Sequence, residues 1–149
     1  MIGIMLVNQD LVTAVDGKII KGPESDKKWL ANFVKNKTAI VGSKTYEADL
    51  INMPKFVASM KELIVIGKDY MALEDVDLSK VDICLGGPTL LDSVNPEILI
   101  LHQIYEDRIS MESCKLVLGT AGYTYESIKE FDKYSEIILR RKNAKWWFG

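Results

Sequence analysis

Thr38-Ala39-Ile40-Val41-Gly42, followed at once by Ser43-Lys44-Thr45-Tyr46-Glu47, decides the fold. A short apolar run without polar alternation reads as a strand covered on both faces. Here it ends in a glycine, and the polar residues beyond it open a short helix. Two further stretches repeat the beginning of this pattern: Glu62-Leu63-Ile64-Val65-Ile66-Gly67 and Val81-Asp82-Ile83-Cys84-Leu85-Gly86-Gly87. After the second of these, a helix over Pro88–Val94 is expected directly behind the glycine pair. Strand, glycine and helix are thus predicted three times, at Gly42, Gly67 and Gly86. That alternation predicts an α/β fold with a mixed, mainly parallel sheet and helices on both faces.

Outward from this centre, Met1–Val7 is an almost wholly apolar first strand and Ile98–Ile104 a fifth. Asn8 to Pro23 reads as a long loop with a short extended piece at Leu11–Thr13, and a loop of this length in a compact domain points to function. Trp29, Leu30, Phe33 and Val34 share one face of a helix over Lys27–Lys35, with Ser25 or Asp26 as its expected N-cap. Glu136-Ile137-Ile138-Leu139-Arg140-Arg141 is extended in character and has no helix after it, which predicts an antiparallel C-terminal strand at the sheet edge.

The 149 residues, 48% hydrophobic and 27% charged, make one globular domain over 1–149. A net charge of −2 leaves no basic excess for a nucleic-acid backbone. Cys84 and Cys114 form no disulfide framework, which predicts a cytoplasmic setting. No metal-ligand spacing, signal peptide or membrane-length apolar run is read, so neither metal nor membrane is expected. Trp146-Trp147-Phe148 is expected to dock on the body or on a second subunit, leaving monomer and homodimer both open.

Ligands of open α/β sheets bind beyond the carboxyl ends of the strands, where helix-start amides attract phosphate. Two places have that form: Gly42-Ser43-Lys44-Thr45 and Gly86-Gly87-Pro88-Thr89. The paired glycines admit a pyrophosphate close to the backbone. Lys68, just after Gly67, adds a second cation beside Lys44. Asp26 has two readings, a helix cap or a carboxylate that enters a cleft and binds a heterocycle. His102, the one histidine, lies in an apolar strand and is expected to be structural, and Cys84 to be core packing.

Taken in order, these features resemble the dihydrofolate reductase family. The residues that carry the resemblance are Asp26 and Trp29 behind the loop, Ile40-Val41-Gly42-Ser43-Lys44-Thr45-Tyr46-Glu47, Leu63-Ile64-Val65-Ile66-Gly67-Lys68, Leu85-Gly86-Gly87 and the closing strand Tyr134–Arg141. The resemblance implies NADPH as hydride donor and reduction of 7,8-dihydrofolate to tetrahydrofolate. Asp26 would bind the pterin and assist its protonation, and Met5, Leu30 and Leu85 would line the pocket with it. Gly42, Lys44, Thr45, Lys68, Gly86, Gly87 and Thr89 would hold the cofactor, with a cis bond between the two glycines as in the family.

Two departures bear on the substrate. Ile20-Lys21 stands where the family carries Pro-Trp, and Met60-Lys61 where it carries the arginine that binds the folate glutamate, for which Lys61 or Lys55 would have to substitute. Val15-Asp16-Gly17-Lys18-Ile19 and Gly86-Gly87-Pro88-Thr89-Leu90 are also similar to the reductase domain of riboflavin biosynthesis. That similarity implies a ribosylamino-pyrimidine, or another pterin, as the alternative acceptor. A nucleotide-binding module without turnover is the third reading.

Overall fold

The computed structural model describes residues 1–9, 12–15, 18–19, 21–105, 113–115 and 122–142. In chain order the elements are β1 (Ile2–Val7), β2 (Val12–Val15), β3 (Lys18–Ile19), α1 (Glu24–Phe33), β4 (Thr38–Gly42), α2 (Ser43–Ala48), α3 (Pro54–Ser59), β5 (Glu62–Ile66), β6 (Ile83–Cys84), α4 (Pro88–Val94), β7 (Ile98–Gln103), β8 (Ser113–Lys115), β9 (Tyr123–Glu130) and β10 (Ser135–Arg141). Tight 3-10 turns lie at Leu50–Asn52, Leu73–Asp75 and Leu78–Lys80. The main sheet has seven strands in the order β5-β4-β6-β1-β7-β10-β9. The pairings from β5 across to β7 are parallel, whereas β10 pairs antiparallel with both β7 and β9. This is the mixed, mainly parallel sheet the sequence predicts; β10 is antiparallel as expected but is not itself the edge, because β9 pairs along its outer side and is the outermost strand.

Side-chain alternation splits the core into two layers. On one face Ile4, Ala39, Ile83 and Ile100 meet Val34 and Met60, with Trp29, Leu30 and Phe33 of α1 packed against them. On the other, Val7, Ile40, Cys84, Leu99 and Leu101 meet Leu90 and Leu91 of α4. Helices therefore cover both faces. Cys84 is fully buried in the second layer, and burial pushes its thiol up to about 11, so it is packing and not a nucleophile.

Four local expectations need correction. No α-helix follows Gly67: the chain doubles back there, with the Tyr70 amide donating to the Gly67 carbonyl at 3.1 Å and the Met71 amide to that of Val65 at 3.1 Å. Helix α1 begins at Glu24, with Pro23 as N-cap and no side-chain cap bond, so neither Ser25 nor Asp26 is the cap. Pro23 has a fixed φ of −66° and an extended ψ of 162°, and its carbonyl accepts from the Asp26 amide at 3.0 Å. The loop after β1 contains strand rather than an isolated extended piece: β2 pairs with β3 and β8 in a second, three-stranded sheet. The fourth strand is short, only Ile83–Cys84. Among the described residues, no helix is long and apolar enough to cross a membrane. Trp146-Trp147-Phe148 and Ile20 lie outside the described residues.

Candidate functional site

Asp26 sits three residues inside the polar N-terminus of α1, on the stripe that also carries Trp29, Leu30 and Phe33. It is 8% exposed, unusual for a carboxylate, and a buried charge needs partners. One oxygen, Oδ1, bonds His102 Nδ1. The other, Oδ2, lies beneath the backbone at Gly22, where an added Cβ would stand 2.5 Å from it and 3.3 Å from Leu6. Gly22 thus leaves the space that Oδ2 uses.

His102 is fully buried and bonded on both ring nitrogens, Nε2 lying 3.0 Å from Glu136 Oε2. Its ring stands 4.4 Å from that of Trp29 and 4.7 Å from that of Tyr134. The structural role expected for His102 is therefore joined to the candidate site, since its partner is the singled-out carboxylate. The single-residue signal for this is weak. It depends on strand register, which sets Glu136 directly opposite His102, 34 residues earlier in the chain.

The glycines form a second cluster at the carboxyl ends of β4 and β6. Gly86-Gly87 is joined by a cis peptide bond, as the resemblance implies, and Gly86 has φ of +92°. The Gly42 amide donates to the Gly86 carbonyl at 2.7 Å. A Cβ on Gly42 would stand 3.4 Å from the Gly87 nitrogen, and one on Gly87 3.1 Å from Thr45 Oγ1. Gly42, Thr45, Gly86 and Gly87 are thus brought together.

The remaining predicted residues fall around these two groups. Met5 packs against Gly86, and it belongs to the layer facing α4, whereas Leu30 and Leu85 belong to the α1 layer with Asp26. Gly42 pairs with Ile66, and Gly67 packs on Ser43, so exposed Lys44 and Lys68 follow neighbouring strand ends. Thr89 is exposed in the first turn of α4. Met60 is buried in the α1 layer, and Lys61 lies at the amino end of β5. There Lys61 lines a cavity of about 530 Å³ with Thr38, Val81 and Asp82, at the sheet end opposite the glycine cluster.

This architecture is shared with a solved reductase. A dihydrofolate reductase from Enterococcus faecalis, solved with NADP(H) and RAB-propyl, superposes with a TM-score of 0.75 over 95% of this chain and 96% of that one, at 15% sequence identity. The chain has the dihydrofolate reductase fold. No protein-family model matches the sequence, and no curated protein does.

Proposed function

We propose that this protein is an NADPH-dependent reductase that converts dihydrofolate to tetrahydrofolate. The observation that carries the reading is the placement of two features at the carboxyl ends of the central strands, Asp26 beside β1 and β7 and the glycines beyond β4 and β6. Asp26 is a buried carboxylate at the start of α1, and a bare backbone cradle is formed by Gly42, Gly86 and Gly87. The cradle fits a dinucleotide: no side chain projects from its three glycines, and Thr45 Oγ1 lies so close that a Cβ on Gly87 would crowd it at 3.1 Å. Lys44 and Lys68 would meet an adenosine 2′-phosphate.

When bound, NADPH supplies the hydride. The chain's own residues orient and polarise. Asp26 accepts N–H groups from the pterin edge, and its negative charge favours protonation of the ring nitrogen beside the accepting carbon. Leu30 and Leu85 present an apolar wall that excludes water and strengthens that electrostatic effect. A cytoplasmic setting belongs to the same reading.

One observation favours the second acceptor, a ribosylamino-pyrimidine or a pterin without the glutamate tail. Met60-Lys61 stands where the resembling family carries the tail-binding arginine, and of the two Met60 is buried in the core, while Lys61, the lysine that would have to substitute, lines the cavity at the opposite sheet end. Comparing kcat/KM for dihydrofolate and a tailless dihydropterin separates the two. A preference for dihydrofolate of roughly tenfold or more, one well-made ionic contact, supports a tail site. Equal values assign recognition to the heterocycle alone.

Lys44→Ala is expected to raise the KM for NADPH roughly tenfold and to leave that for NADH unchanged, because an exposed lysine contributes only through its contact with the extra phosphate. Parallel losses for both cofactors in steady-state assays contradict the placement.

A further inference from the structure

His102 stands in the middle of a buried row of charges. Antiparallel register pairs it with Glu136 of β10, and alternation turns both toward the face that α1 covers, where Asp26 projects. Nδ1 meets Asp26 Oδ1, and Nε2 meets Glu136 Oε2 at 3.0 Å. Each of these contacts needs a proton between nitrogen and oxygen. A neutral imidazole carries only one N–H, whereas an imidazolium carries two. The groups that face the ring are Asp26 from α1, Glu136 from β10 and Tyr134 ahead of β10, while β1 presents Leu6 as its strand partner. The rings of Trp29 and Tyr134 close around it at 4.4 and 4.7 Å, a setting that also favours a cation.

Building on the proposed reductase function, we propose that His102 is held as an imidazolium between Asp26 and Glu136, and that His102 and Glu136 are positioning residues for the substrate-binding carboxylate. The imidazolium fixes the Asp26 rotamer by engaging Oδ1, so that Oδ2, which His102 does not engage and which packs under Gly22, is the oxygen left to accept from the heterocycle. Two carboxylates and one cation leave one net negative charge, the same as a lone carboxylate, so the site keeps its charge while gaining a fixed geometry. Burial disfavours the charged ring, but the bonds to Asp26 and Glu136 outweigh it and raise the pKa of His102 above its ordinary 6.5. The sign for stability follows. The triad's contribution is fully present below 6.5 and is lost as pH rises through the raised folded value.

The chain's single histidine gives one imidazole signal, so an NMR pH titration of the whole protein reads His102 directly. The expected midpoint lies above 6.5 in the wild type and drops by about one unit in Glu136→Gln, which keeps the shape and removes one anion. His102→Gln is expected to lower kcat with dihydrofolate roughly tenfold and to leave the KM for NADPH unchanged, a split that general destabilisation would not produce. A wild-type midpoint at or below 6.5 overturns the proposal. So does a midpoint unmoved in Glu136→Gln, or full kcat in His102→Gln. If Glu136→Gln does not fold, the wild-type midpoint decides alone. A high, Glu136-dependent midpoint in a wild type that fails to reduce dihydrofolate rejects the folate reading and supports the clamp on Asp26.

Discussion

Asp26→Asn is expected to lower the rate of hydride transfer to dihydrofolate by roughly a hundredfold or more, the scale of a group whose bonds strengthen as the ring gains positive character. Because Asp26 is inside the first turn and does not cap α1, the substitution leaves helix capping untouched. It instead turns a charged bond to His102 into a neutral one, which costs about 1–3 kcal/mol of stability. NADPH affinity is expected to stay near wild type, since the proposed cradle of Gly42, Thr45, Gly86 and Gly87 lies at the end of β4, in α2 and after β6, apart from α1. Acidification partly restores turnover, because solvent protons then replace the help of the carboxylate. Single-turnover kinetics across pH check this. Undiminished turnover at neutral pH combined with lost thermal stability makes Asp26 a purely structural partner of His102.

Gly87→Ala is expected to weaken NADPH binding severely while costing little stability. Gly87 has φ of −76°, a conformation alanine adopts without strain, and its new Cβ would stand 3.1 Å from Thr45 Oγ1, a side chain able to yield a few tenths of an ångström. Gly86→Ala is a poorer test, because φ of +92° and the adjacent Met5 sulfur would destabilise the fold itself. In Gly87→Ala the methyl group occupies the bare backbone surface that the pyrophosphate would approach. The Kd for NADPH by fluorescence titration should rise at least roughly a hundredfold, about 2.7 kcal/mol. The melting temperature should move by only about 2–4 °C, the equivalent of about 1 kcal/mol in a chain of this size. Wild-type affinity in this variant would make the glycine pair a turn and nothing more.

The parallel half of the sheet was legible because its strands are buried on both faces. Ala39-Ile40-Val41 and the Ile98-Leu99-Ile100-Leu101 part of the strand read over Ile98–Ile104 are unbroken apolar runs, and glycines mark the ends at Gly42 and Gly86. β9 was not legible. Of Tyr123-Thr124-Tyr125-Glu126-Ser127-Ile128-Lys129-Glu130 only Tyr123 is buried, so an outermost strand leaves almost no apolar period to detect. The tight turn after Gly67 escaped for a different reason. Its backbone bonds among Val65, Gly67, Tyr70 and Met71 are local and carry no apolar period, and only Glu47, which accepts from the Tyr70 hydroxyl at 3.1 Å, ties the turn to a separate segment. The site likewise depends on separate segments. Asp26 stood out as an acid at a helix start, and the glycines as punctuation. His102 looked like core because its neighbours Leu101 and Ile104 are apolar, and only the register of β7 against β10 discloses Glu136 as its partner.

Hydride transfer from NADPH to a dihydropterin under the guidance of Asp26, as proposed, leaves an isotopic trace in the product. Incubation with dihydrofolate and NADPH deuterated at the transferred position, followed by mass spectrometry of the pterin, tests it most directly. Tetrahydrofolate carrying one deuterium is expected from the wild type, and a yield in the same interval lower by roughly a hundredfold from Asp26→Asn. Unlabelled or absent tetrahydrofolate from a wild type that binds NADPH would contradict it.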